Sequence, residues 1–142
     1  MERGRRKIVL DTTWYVSGTI NRKSRRTLYS VLADKRNVIY YSSELLSEYK
    51  EVIQRKKFRK YVSLEQASKF LKLILPRLIF ASAKSKVILS RDRKDDYLLS
   101  LSNDVKANFL ITSDDDLLVI KKIGITKIVT MSEFKLMSLK KF

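Results

Sequence analysis

Short runs of β-branched and aromatic residues alternate along this chain with longer stretches of helical period. That alternation is the strongest constraint on its fold. Ile8-Val9-Leu10 reads as a short buried strand, and Ser24 to Ala33 as a helix with Leu28, Val31 and Leu32 on one face. Val38-Ile39-Tyr40-Tyr41 is a second strand. Ser42 or Ser43 caps the next helix, which runs to about Arg55. Ser63 caps another, and Pro76 ends or kinks it. Val87-Ile88-Leu89 reads as a strand or an extended connector. Asp95 to Lys106 is helical, Phe109 to Thr112 a strand, Asp115 to Lys121 a short helix and Lys127-Ile128-Val129 a strand. Ser132 caps a last helix.

Strands that alternate with helices form a parallel sheet covered on both faces. The expected fold is therefore α/β, a three-layer α/β/α sandwich around a mainly parallel sheet of four or five strands. No repeat or low-complexity linker divides the 142 residues, so one domain spanning 1–142 is expected. In such sheets ligands bind beyond the carboxyl ends of the strands. Asp11 and Asp114 each lie just past such an end, so they are expected to meet at one rim.

The chain has no His and no Cys. Ser-His-Asp and Cys-His catalysis, His-ligated zinc, thiolate sites and disulfides are thereby excluded. What remains is carboxylates, Lys, Tyr, Ser/Thr or an activated water. With oxygen donors alone, the metals of choice are Mg²⁺ or Mn²⁺.

Lys and Arg number 31 against 15 Asp and Glu, a formal net charge of +16. Such an excess suits a polyanionic partner. A solvated basic surface is the plainer alternative. No apolar run reaches the length of a membrane span, and no secretory h-region follows the basic start. A soluble cytoplasmic protein is expected.

In a chain so basic, acids at strand ends and helix starts stand out: Asp11, Glu48, Asp92, Asp95 and Asp114. Helical geometry selects among neighbours. Around Glu48, the apolar residues Leu45, Tyr49, Val52 and Ile53 set the buried face. Glu48 then lies on its flank, with Glu44 and Glu51 turned further toward solvent. After Asp95, the residues Tyr97, Leu98, Leu101 and Val105 set the buried face, with Asp95 on its flank and Asp96 pointing away. Plainer roles exist for each acid. Asp11 could simply end a strand, Glu48 could pair with surface lysines, and Asp92, Asp95 or one of Asp114 to Asp116 could cap a helix.

Two basic clusters are less specific. Arg22, Lys23, Arg25 and Arg26 form one. Arg55, Lys56, Lys57, Arg59 and Lys60 form the other, with Phe58 and Tyr61 interleaved. They read either as solvated helix ends, where cations favour the macrodipole, or as an electrostatic track for RNA with base stacking on an aromatic. Trp14 and Tyr15 suit core or rim.

Four blocks resemble PIN domains. Leu10-Asp11-Thr12-Thr13 resembles their opening Asp-Thr-Asn. Ser42 to Phe58 resembles their second block, and Arg91-Asp92-Arg93-Lys94-Asp95 their Arg-Asp-Pro-Lys-Asp. Thr112-Ser113-Asp114-Asp115-Asp116-Leu117-Leu118 resembles their Thr-x-Asp-x-Asp-Leu-Leu. The blocks occur in order from about residue 7 to residue 138. The likeness is greatest to putative toxin components related to VapC toxins of toxin–antitoxin pairs.

The resemblance implies a ribonuclease that uses Mg²⁺ or Mn²⁺. Its acidic quartet would be Asp11, Glu48, Asp95 and Asp114, with Asp116 and Asp92 as auxiliary ligands. Thr12 and Thr112 would support the site through hydrogen bonds. Thr13 stands where the family has Asn, and Arg93 where it has Pro. The first departure removes an amide that would orient Asp11, and the second loosens the turn before Asp95. The implied chemistry is phosphodiester hydrolysis by a water that the cation activates. The implied partners are RNA and a cognate antitoxin protein, with a homodimer compatible and no membrane involved. The alternative is a PIN-fold module, weak or inactive in catalysis, that binds nucleic acid or a protein. A phosphatase or small-nucleotide hydrolase fits less well, because the basic excess suits a polymer.

Overall fold

The first strand, β1 (Arg6–Leu10), forms the centre of the sheet because Ile8, Val9 and Leu10 are fully buried. A strand covered on both faces needs a continuous apolar run rather than an alternating one. The computed structural model of the chain describes residues 4–84 and 95–139. The Val87-Leu89 run, Asp92 and Arg93 lie outside the described residues.

Two helices follow β1: α1 (Thr12–Ile20) and α2 (Arg22–Ala33). Then come β2 (Asn37–Tyr41), α3 (Ser43–Ile53), the short α4 (Lys56–Arg59) and α5 (Leu64–Ile74). A 3₁₀ turn, Leu75–Arg77, holds Pro76 and leads into β3 (Ile79–Phe80). The remainder is α6 (Asp96–Val105), β4 (Phe109–Ile111), α7 (Asp115–Leu118), β5 (Lys122–Ile123), β6 (Thr126–Val129) and α8 (Met131–Leu139).

Among the described residues the sheet has six strands in the order β3-β2-β1-β4-β6-β5. All neighbours are parallel except the β5–β6 hairpin. Ile8 sits level with Ile39 on one side and with Phe109 on the other. The expectation of a mainly parallel sheet flanked by helices holds. The two strands not read from sequence, β3 and β5, are two residues long each, too short to leave a periodic signal. No helix among the described residues is long and apolar enough to cross a membrane.

Two helices were not expected from sequence, the one-turn α4 and the longer α1; the second is the more informative. Its residues, Thr-Thr-Trp-Tyr-Val-Ser-Gly-Thr-Ile, are mostly β-branched or aromatic and show no polar stripe. Tertiary contact makes it a helix. Asp11 caps its start, and Arg25 donates to the carbonyls of Gly18 and Thr19 at its end, at 2.8 Å each. At Gly18 an added Cβ would lie 2.9 Å from Leu28 Cδ2, so glycine permits the close approach of α2.

Other caps refine the sequence reading. Ser42, not Ser43, caps α3 through the Leu45 amide, and Ser63 forms a reciprocal capping box with Gln66. The cap of α8 is Thr130, which exchanges hydrogen bonds with Glu133, so the expectation of Ser132 is corrected by two residues.

Candidate active site

The chain moves from β1 outward to β2 and β3, and later returns to place β4 on the opposite side of β1. The carboxyl ends of β1 and β4 therefore flank the point where the strand order reverses. Open α/β sheets leave a crevice at such a point. Here the crevice is a cleft of about 350 Å³. Asp11, Glu48, Asp95 and Asp114 all line it.

Asp11 follows β1 directly, and its amide donates to the Ile111 carbonyl at 3.0 Å, which ties the two strand ends together. Its carboxylate is buried. Thr112 donates to Asp11 Oδ2 at 2.6 Å, and the Thr13 amide to Oδ1 at 3.3 Å. Burial pushes the Asp11 carboxyl above its ordinary value, and Glu48 and Asp114 add to the rise, while the bonds from Thr112 and Thr13 oppose it. Asp11 is thus both helix cap and site acid. The same holds for Asp114, whose Oδ1 accepts the Asp116 amide at 2.9 Å to cap α7. Of the three acids in that run, any of which could have been the cap, it is the cleft-lining Asp114 that caps the helix.

Glu48 is half-buried and Glu44 and Glu51 are exposed, so the flank geometry on α3 is realised. Thr12 donates to Glu48 Oε2 at 2.7 Å. The Tyr97 phenol also donates to that oxygen, and the two hydroxyls lie 2.7 Å apart. Burial, then the bond to Glu48, raise the Tyr97 phenol far above its ordinary range, so it stays a donor. This role of Tyr97 was not read from sequence, where it counted only as an apolar residue. The available signal was a polar tip on a buried aromatic, which needs a partner.

Asp95 is half-buried at the start of α6 and lines the cleft. The expectation that Asp96 points away to solvent is corrected, since Asp96 is only 9% exposed. Packing against β1, β4, α3 and β5 leaves the first turns of α6 without a solvent face. Asp116 is half-buried and does not line the cleft; its backbone amide donates to Asp114.

The donor set consists of hard carboxylate and hydroxyl oxygens, which fits Mg²⁺ or Mn²⁺ in kind. Like charges converging on one cleft also favour a cation between them; at Asp11 burial is the main cause of the rise, and Glu48 and Asp114 add to it. Among the described residues no three carboxylates are already gathered into a ready-made ion cage. Arg55, Lys57 and Phe58 also form part of the wall. Arg25, from the other basic cluster, is engaged in capping α1.

The sequence matches a family model described as PIN domain over residues 7–116. No curated protein sequence matches the chain. In fold it is similar to the crystal structure of VapBC2 from Rickettsia felis bound to a DNA fragment from their promoter. The TM-score is 0.57 at 20% identity, over 86% of this chain and 96% of that one.

Proposed function

This chain belongs to the PIN domain family, and from that premise we propose that it is a metal-dependent ribonuclease, the toxin of a toxin–antitoxin pair. One observation carries the proposal. Asp11, Glu48, Asp95 and Asp114 come from four separate segments and line one cleft at the reversal of strand order.

These four acids would hold Mg²⁺ or Mn²⁺. Asp92, outside the described residues, would act as an auxiliary ligand; Asp116, which does not line the cleft, would do so only through a bridging water. A divalent cation bound there supplies a Lewis acid that sharpens the acidity of water at neutral pH and offsets charge on the phosphate. The protein's own groups do the orienting. Thr112 and the Thr13 amide fix both oxygens of Asp11. Thr12 and Tyr97 hold Glu48 by Oε2. Arg55 and Lys57 draw the phosphate backbone toward the acids. The Thr13 amide supplies at Asp11 part of what the family's Asn side chain would supply.

The likeness to VapBC2 supports a cognate antitoxin as protein partner, alongside RNA and with a homodimer compatible. We assign the reaction to the cytoplasm and to one domain spanning 1–142. The test is incubation of purified protein with assorted RNAs and Mg²⁺, Mn²⁺ or chelator. Cleavage that needs metal and is lost in Asp11→Asn supports the proposal; undiminished cleavage in chelator overturns it.

A second reading, a module that binds nucleic acid or protein without turnover, is favoured by the absence of a preformed acid cage among the described residues. RNA binding by the wild type, with no cleavage in any metal, would select it.

A further inference from the structure

The cleft does not end at its acidic wall. Ile20 lines the cleft and also a second groove of about 350 Å³, bordered by Tyr29, Tyr61, Phe70 and Leu73 together with Arg25 and Lys69. The stretch from Arg55 to Val62 borders both. Its first part, through Arg55, Lys57 and Phe58, faces the cleft, and its end, through Tyr61 and Val62, faces the groove.

Five of the six residues from 55 to 60 are cations, and the stretch contains no acid. Among the described residues its one ion pair is Arg55–Glu51 at 3.9 Å, with both side chains exposed. Such a pair neutralises little. The Tyr61 ring is 62% exposed, with Lys60 Nζ 5.3 Å from its centroid. Arg25 is fixed by its two carbonyl bonds, so its charge cannot swing away from the groove.

An exposed aromatic beside Arg59 and Lys60, with Lys69 held only by an exposed pair to Glu65 at 3.6 Å, does nothing for the core. It matches what a single nucleic-acid strand offers, a flat base between two phosphates. A protein segment would favour an apolar surface without this density of like charge. A duplex presents phosphates but keeps its base faces stacked inside.

We propose that the Tyr61 groove is a second nucleotide subsite, in which a base of an unpaired RNA strand stacks on Tyr61 while Lys60, Arg59 and Lys69 hold the flanking phosphates. The strand then runs along the Arg55–Val62 stretch into the acidic cleft. The choice of RNA rests on the ribonuclease reading, whereas the subsite rests on the groove.

The test uses the full chain in chelator, so that nothing is cleaved, and fluorescein-labelled oligouridylates read by anisotropy. A tetranucleotide is compared with a dodecanucleotide. Wild type should prefer the longer strand, and Tyr61→Ala should weaken that binding about 5- to 100-fold and abolish the preference. Tyr61→Phe should restore it. Lys60→Glu should lower the salt dependence by about one phosphate contact. Annealing the long strand to its complement should remove the effect of Tyr61. Because Tyr61 is exposed, the variants should melt as wild type does. Leu136→Ala, on α8 and outside both grooves, serves as control. If wild type binds the long strand and Tyr61→Ala binds it equally, the subsite is overturned and the groove passes to a protein partner. If wild type binds no RNA at all, the ribonuclease reading falls with it.

Discussion

Thr112 donates its hydroxyl proton to Asp11 Oδ2 at 2.6 Å, joining two residues 101 positions apart in sequence. The same hydroxyl oxygen accepts the Asp114 amide at 3.0 Å. One side chain thus sets the spacing of two site acids. Thr112→Val keeps the volume but leaves the Asp114 amide without that acceptor and Asp11 without its strongest opposing bond. A stability loss of about 1–2 kcal/mol is expected from the lost bonds. Activity should fall about 10–100-fold, as is usual when a ligand's supporting partner is removed. Chemical denaturation and RNA cleavage measured side by side check this. Unchanged cleavage would show that Asp11 needs no such support.

Tyr97→Phe removes one of two hydroxyl donors to Glu48 while retaining the ring. The expected result is metal binding about 10-fold or more weaker, with the fold intact. Calorimetric titration of Mn²⁺ into wild type and variant reads this directly, without reference to turnover. Equal affinity would reduce Tyr97 to a packing residue.

Neighbouring acids should separate sharply. Glu48→Gln and Asp114→Asn are expected to cut cleavage at least 100-fold, while Glu44→Gln and Asp115→Asn, both at exposed positions, should change it less than about threefold. Asp96 is unsuitable as the harmless control, because it is buried. A more damaging Glu44→Gln than Glu48→Gln would mean that α3 is registered wrongly.

Sequence made the acids legible through two separate signals, a strand end for Asp11 and Asp114 and a helix flank for Glu48 and Asp95. Glu48 is the clearest case: Leu45, Tyr49 and Ile53 are buried as the period requires, and Glu48 flanks them. Asp96 departs from its helical wheel for a physical reason. A helical wheel assumes one solvent face, but α6 begins wedged among β1, β4, α3 and β5. The helix α1 was illegible for a related reason, since a segment buried nearly all round has no polar stripe to reveal its period. Tyr97 could be placed on a buried face, but the partner of its hydroxyl comes from 49 residues earlier in the chain. No local pattern carries such a pairing.

Acid sensitivity should have a source far from the cleft. Arg36 donates twice to Asp34, from Nη2 at 2.7 Å and Nε at 3.0 Å, and the largely buried Arg6 donates at 3.3 Å. These bonds, the Arg36 side-chain bonds foremost, hold the Asp34 carboxyl down to about 2. A depressed carboxylate contributes stability that is complete above its unfolded value of 3.8 and is lost as pH falls from there through about 2. Asp34→Asn should therefore lower stability near neutrality by about 1.5–3 kcal/mol. It should also flatten the loss of stability below pH 3.8. Denaturant melts across that range distinguish the two proteins, and parallel curves would remove Asp34 as the source.

Metal and fold should be coupled through the acids themselves. Burial raises the Asp11 carboxyl, and a raised acid contributes stability that is present below 3.8 and lost as pH rises through its folded value. Burial foremost, with Glu48 and Asp114 beside it, therefore makes the charged form of Asp11 costly in the metal-free protein. Asn caps helices about as well as Asp, so Asp11→Asn with Asp114→Asn should preserve the starts of α1 and α7 while removing two charges from the cleft. The metal-free double variant is expected to melt at or above the wild-type temperature at pH 7, with the difference shrinking toward pH 4. Mg²⁺ or Mn²⁺ should raise the wild-type melting temperature in proportion to the logarithm of concentration once the site is filled, and should barely move the double variant. An equal response in both proteins would mean that the cation binds elsewhere, and the cleft would lose its assignment as the metal site.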